Sequence, residues 1–183
     1  MIVSPEGRWP PVYDEDDLRA QIRRLTSGDF EATFWDLREP RGVCQGDVVN
    51  LRSAVPVLDE EGAAVVTDDC DLWLVIGNTC DFERTIADVR WSQLVPLVDV
   101  PNASGTEIGM FRAYTTSRHF YVPPLPGGDQ VHRLADFTRP VTIHKGAFDG
   151  AARVVAHMQF PAWVLLHSCL IRFLARGDGR NEP

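Results

Sequence analysis

Lysine is almost absent from this chain. Of 18 basic residues one is a lysine, Lys145, and the rest are arginines. Arginine is the residue suited to bidentate recognition, but a bias in overall composition explains the imbalance equally well. Four cysteines occur, Cys44, Cys70, Cys80 and Cys169, and no two form a C-x-x-C pair. Zinc knuckles need such close ligand pairs, so no metal site is expected, and the thiols read as small apolar residues of a reduced protein. The five histidines, His119, His132, His144, His157 and His167, show no H-E-x-x-H spacing, which removes the metalloprotease class. A glycine-rich phosphate loop is missing, which removes P-loop nucleotide hydrolysis. No cofactor is expected.

Long apolar runs are missing too. The longest apolar segment, residues 160–174, is broken by His167, Ser168 and Arg172 and falls short of the ~18 residues of a membrane span. Met1 is followed by neither a basic region nor an apolar one, so no signal peptide is read. These features give a cytoplasmic location as the expectation, with no membrane among the partners.

What is present suits a single domain of 183 residues, with 44% hydrophobic and 24% charged residues. Net charge is -8 and it is uneven. Residues 44–100 hold 11 acids and 3 bases, whereas residues 101–183 hold 6 acids and 9 bases. Phosphate backbones favour basic surfaces, so the acidic middle disfavours RNA as a partner and leaves a protein partner as the expectation.

The pattern reads as α+β in three parts. Residues 1–43 form an N-terminal extension, with a helix over 14–25 that starts acidic and ends basic, as the helix dipole prefers. Residues 44–145 supply short β-prone runs, and residues 146–177 a C-terminal helical region. Asp47 opens a strand through Leu51. Residues 59–62 make a hairpin turn between runs at 54–58 and 63–67. Residues 110–116, 119–122, 131–137 and 141–144 read as further strands. In the run 91–100, Pro96 argues for an edge or a bulge. Residues 148–155 read as the start of the helical region. Residues 161–176 read as an amphipathic helix with Trp163, Leu166, Leu170, Phe173 and Leu174 on one face. The expected architecture is a small, strongly bent β-barrel flanked by two helices.

The organising stretch is residues 72–81. Leu72, Trp73, Leu74, Val75 and Ile76 are apolar, as a strand buried on both faces requires. Gly77, Asn78, Thr79, Cys80 and Asp81 then break the pattern, at a point where rigid strands present working groups. Asn78, Thr79 and Asp81 are candidate binding residues. For Asp81 an Asx turn that caps the next segment is the structural role, and lining a pocket is the functional one. Cys80 beside a carboxylate is a poor nucleophile unless a histidine reaches it. Arg118 and His119 are the candidate opposing groups, able to stabilise charge and move a proton. Thr79, Cys80, Asp81, Arg118 and His119 are thus the candidates if catalysis occurs.

Three segments stand in the order found in the MazF/PemK-like toxin barrels. They are Gly46-Asp47-Val48-Val49, Leu74-Val75-Ile76-Gly77-Asn78-Thr79 and Leu94-Val95-Pro96-Leu97. Residues 44–100 therefore resemble that superfamily. The resemblance implies an SH3-like barrel with RNA-cleaving relatives and marks Thr79 as the one position matching an active-site residue. Where that family has Arg-Pro before the hydrophobic strand, this chain has Asp69, Cys70 and Asp71. The loop is also similar to an uncharacterised bacterial group with a Ser-x-x-Cys-Asp loop. That group ends in a helix comparable to Leu166, Leu170, Phe173 and Arg176. The missing arginine and the acidic middle favour a catalytically silent binding or regulatory module of a toxin–antitoxin or defence type. A MazF-like endoribonuclease is the alternative.

Overall fold

The computed structural model describes residue 23 and residues 33–37, 42–51, 55–58, 60–67, 70–128 and 130–174. The helix read over 14–25 lies outside the described residues except at Arg23, which is helical. Ten strands are described: β1 (Trp35–Asp36), β2 (Val48–Leu51), β3 (Val55–Leu58), β4 (Ala64–Thr67), β5 (Leu72–Val75), β6 (Trp91–Val100), β7 (His119–Val122), β8 (His132–Asp136), β9 (Val141–His144) and β10 (Ala152–Met158). Three α-helices accompany them, α1 (Thr79–Glu83), α2 (Gly105–Arg112) and α3 (Phe160–Leu174), with a 3-10 turn at Lys145–Asp149. The protein is α+β, and every described strand pair is antiparallel. No helix among the described residues is long and apolar enough to cross a membrane.

The main sheet runs β1-β10-β2-β5-β6-β8-β7, with β9 also paired to β6, and it is open. Its two end strands approach without backbone pairing. Trp35 of β1 donates its indole N–H to the Pro124 carbonyl just past β7 at 2.9 Å, and Phe34 lies 6.2 Å from Phe120 of β7, ring to ring. The β3–β4 hairpin forms a separate two-stranded sheet, and its turn contains Gly62 at φ 77°.

Strand β5 occupies the middle of the order, between β2 and β6. Alternation along these strands divides the interior in two. Val48, Leu74 and Val95 face the larger core, shared with Phe34, Phe120, Tyr121, Phe137 and the buried face of α3. Val49, Trp73, Val75 and Leu94 face a smaller core, closed by Phe82, Ile143 and Phe148. Trp73 is 2% exposed and Leu74 and Val75 are fully buried, so β5 is covered on both faces as its apolar run requires.

Three readings of the sequence need correction. Residues 110–116 are not a strand. Residues 105–112 form α2, set by a capping box in which Ser104 and Glu107 bond each other's backbone N–H. Residues 148–155, read as the start of the helical region, are not an α-helix: a 3-10 turn ends at Asp149 and strand β10 begins at Ala152, pairing β2 and β1 with an irregularity between Val154 and Ala156. Strand β6 is not an edge. It pairs β9 over Trp91–Leu94 and β8 over Leu97–Val100, so Val95 and Pro96 have β5 alone as partner. The proline, with no N–H to give, sits where the strand hands over from one neighbour to the other.

Candidate functional site

The chain leaves β5 through a backbone that only glycine fits. Ile76 and Gly77 both donate N–H groups to the Gln93 carbonyl of β6, at 3.0 and 3.1 Å. A Cβ on Gly77 would stand 2.3 Å from Ser92 Oγ and 3.2 Å from the Gln93 nitrogen. This close approach pins the loop to β6 and opens helix α1 at Thr79, with Asn78 at its N-cap position.

Two polar residues, Gln45 at its start and Lys145 at its end, fix that helix. Gln45, 5% exposed, donates its side-chain amide to the Ile76 carbonyl at 2.7 Å and accepts from the Trp163 indole at 2.9 Å. Its backbone N–H donates to Thr79 Oγ1 at 3.0 Å. Lys145, the single lysine of the chain, is 7% exposed. Its ammonium donates to the carbonyls of Asp81 and of Arg84, the latter at 2.7 Å. A five-residue helix leaves its last carbonyls without internal partners, and a cation there satisfies them and complements the dipole. Phe82, packed edge-on against Phe148 at 5.1 Å, anchors the apolar side of the helix.

With α1 held, an open cleft of about 260 Å³ forms between the loop and the start of β6. Asn78 and Asp81 line it from the loop, Trp91, Ser92 and Gln93 from β6, and Thr142 from β9. Trp91 is 57% exposed, with its ring edge-on to His144 at 5.2 Å. Ser92 is 5% exposed, and its hydroxyl has no hydrogen-bond partner among the described residues. Asp81 pairs loosely with Arg84 at 3.9 Å, on side chains 35% and 63% exposed respectively.

The candidate residues thus divide. Asn78 and Asp81 line the cleft, while the Thr79 hydroxyl serves as the acceptor for Gln45. Cys80 is exposed on α1. Arg118 and His119 stand at the start of β7, separated from β5 in the sheet order by β6 and β8. His119 lies 4.0 Å from Asp136, and Arg118 accepts at its carbonyl from the Phe137 N–H. The structure therefore assembles Asn78 and Asp81 with Trp91, Gln93 and Thr142 rather than with the arginine and histidine. The sequence contained one signal for this: Trp91 and Gln93 alternate with the apolar Leu94 register and so fall on the solvent side of a strand.

Other polar pairs serve the fold. Buried Asp47 accepts from the Cys44 N–H at 2.7 Å and approaches His157 Nδ1 at 3.0 Å, without hydrogen-bond alignment in the latter contact. Arg133, 3% exposed, binds Asp99 at 2.7 Å. Burial pushes the Cys169 thiol up to about 12 and holds His167 below its ordinary value. Among the described residues no three His, Cys, Asp or Glu side chains gather as a metal site would require.

These features define an antiparallel α+β domain with a polar, aromatic-flanked cleft at the end of its central strand. No family model matches the chain, and no curated protein or solved structure matches it.

Proposed function

We propose that this chain is a binding module, catalytically silent, that engages a protein partner through the cleft at the end of β5. It would serve as a regulatory component of the toxin–antitoxin or defence type. The observation that carries this reading is the cleft itself. An exposed tryptophan stands beside two amides, a carboxylate and two hydroxyls, mounted on paired strands or on a short helix tied at both ends and its N-cap. Exposed aromatics flanked by hydrogen-bonding groups on a rigid support are the usual anchors of recognition. The uses already made of Thr79 and the strand separation of His119 also favour binding over chemistry.

The finer fold expectation, an SH3-like barrel of the MazF/PemK kind, belongs to the same proposal. What supports it is the bend that brings Trp35 of β1 to the Pro124 carbonyl beyond β7. The test has two arms. Purified protein incubated with single-stranded RNA is expected to leave it intact. A partner that co-purifies with the chain is expected to be lost in Trp91→Ala and Asp81→Ala, with the melting curve retained. Cleavage that disappears in Thr79→Ala and His119→Ala would replace this reading with the endoribonuclease one.

A further inference from the structure

We infer that the cleft is a receptor for an arginine side chain carried on a basic segment of the partner. The inference rests on the binding reading above and names the chemistry of the guest. It starts from the charge of the lining. Among the described residues that line the cleft Asp81 is the one charged group, and the cation beside it, Arg84, meets its carboxylate from outside the lining at 3.9 Å. The remaining polar groups, Asn78, Ser92, Gln93 and Thr142, all offer oxygen acceptors. A guanidinium carries five N–H donors in one plane and no acceptor, which is the complement of such a wall.

Trp91 supplies the second element. Its indole is 57% exposed at the cleft margin, and a planar cation stacks on an indole face more favourably than on other rings. The third element is the state of Asp81. Its carboxylate has Arg84 as its partner among the described residues, at 3.9 Å, and that arginine is largely solvent-exposed. A pair this long and this wet is weak, so an incoming guanidinium at hydrogen-bond distance would displace it at little cost. The fourth is the exposure of the acceptors: Asn78, Gln93 and Thr142 are exposed, whereas the Ser92 hydroxyl is buried against Gly77 and forms the floor of the cleft.

Charge beyond the cleft points the same way. Residues 44–100, which contain the loop and most of the lining, hold 11 acids against 3 bases. Such a field draws in a basic segment and repels a phosphate backbone. RNA would also set its phosphates against Asp81, with no cation among the described lining residues to receive them.

The test uses the full chain, isotopically labelled, and three probes. They are acetyl-Gly-Arg-Gly amide, the same tripeptide with citrulline in place of arginine, and a single-stranded RNA heptamer. The indole N–H resonance of Trp91 and the side-chain amides of Asn78 and Gln93 are followed. The arginine peptide is expected to move all three saturably. Binding should weaken about 10-fold or more with citrulline and in Asp81→Asn, and should fall as salt is raised, as a charge-assisted contact requires. Trp91→Phe is expected to retain part of the affinity and Trp91→Ala to lose it, with both variants folded by their amide spectra. Equal binding of the citrulline peptide would overturn the arginine inference while leaving the cleft a binding site. Failure of the arginine peptide to move these resonances, with partner binding still lost in Trp91→Ala, would overturn the inference alone. Movement by the RNA and not by the peptide would overturn both the inference and the protein-binding reading.

Discussion

The two faces of the sheet are built on different terms. The larger core is closed by apolar groups: Phe34, Tyr114, Phe120, Tyr121 and Phe137 meet the buried side of α3, and Phe120 contacts three other rings at 5.3–6.4 Å. The smaller core combines Trp73, Phe82 and Phe148 with aliphatic side chains, and its rim is polar. Lys145 and Gln45 hold the loop next to it through backbone carbonyls. Aromatic packing of this kind leaves few hydrogen-bonding groups free to bind. The polar rim keeps unspent hydrogen-bonding groups at the surface, and that is where the cleft opens. A stable domain with a site thus needs both faces, one to supply stability and one to supply groups.

The largest effects should come from each core in turn. Trp73→Ala and Phe120→Ala are each expected to cost about 3–5 kcal/mol in denaturant unfolding. A loss under about 1 kcal/mol for Trp73 alone would show that the small face contributes nothing and would break the comparison. Next comes the rim. Lys145→Met leaves two carbonyls at the end of α1 without their donor and should cost about 1–3 kcal/mol. Amide exchange over residues 79–84 should rise more than elsewhere, and a uniform rise would show that Lys145 acts on the whole fold. Gly77→Ala forces a Cβ against Ser92 Oγ and should cost about 1–3 kcal/mol. The double variant with Ser92→Ala should recover part of that loss, and no recovery would place the strain at Gln93 instead.

The pH response probes the larger core through two groups on α3. His167 packs on Trp163 of α3, and its burial disfavours the imidazolium, so the unfolded chain takes up its proton first as pH falls. The stability it contributes is complete above about 6.5 and is lost as pH drops through the lower folded value. Unfolding free energy measured between pH 7 and pH 5 should fall by less in His167→Gln than in the parent. At the other extreme, Cys169 stays protonated up to about 12 when folded, against 9.0 unfolded. Its contribution is therefore intact below pH 9 and declines above it. A thiol reagent at pH 8 should modify exposed Cys80 quickly and Cys169 only on unfolding. The smallest effect on stability is expected for Asp81→Asn and Trp91→Ala, within about 0.5 kcal/mol of the parent. A larger loss would make these side chains part of the fold rather than of the site.

Much of this was legible in the chain itself. A five-residue apolar run bounded by polar groups specifies a strand covered on both faces, because no other local structure hides alternate residues on opposite sides. The Gly-Asp turn before Val48, the β3–β4 hairpin and the C-terminal amphipathic helix follow from period and turn chemistry in the same way, and so does the break at Gly77, beside which the cleft opens. Where local signals competed, the chain misled. The aromatic, β-prone residues after Met110 outweighed a capping box that lay in plain sight at Ser104 and Glu107. Val154 and Val155 sat too near a helix to be read as β10, whose strand identity comes from its pairing with β2, about a hundred residues earlier. The alternation of Trp91 and Gln93 puts them on the solvent side of their strand, but which groups share a cleft was decided by tertiary structure. Strand order, a long-range property with no trace in local pattern, brought Trp91, Gln93 and Thr142 to Asn78 and Asp81 and carried Arg118 and His119 to the far side of β6 and β8. The same pairing made the chain's single lysine the buried donor that holds the loop, since burial of an ammonium is tolerated where folded backbone carbonyls are waiting for it.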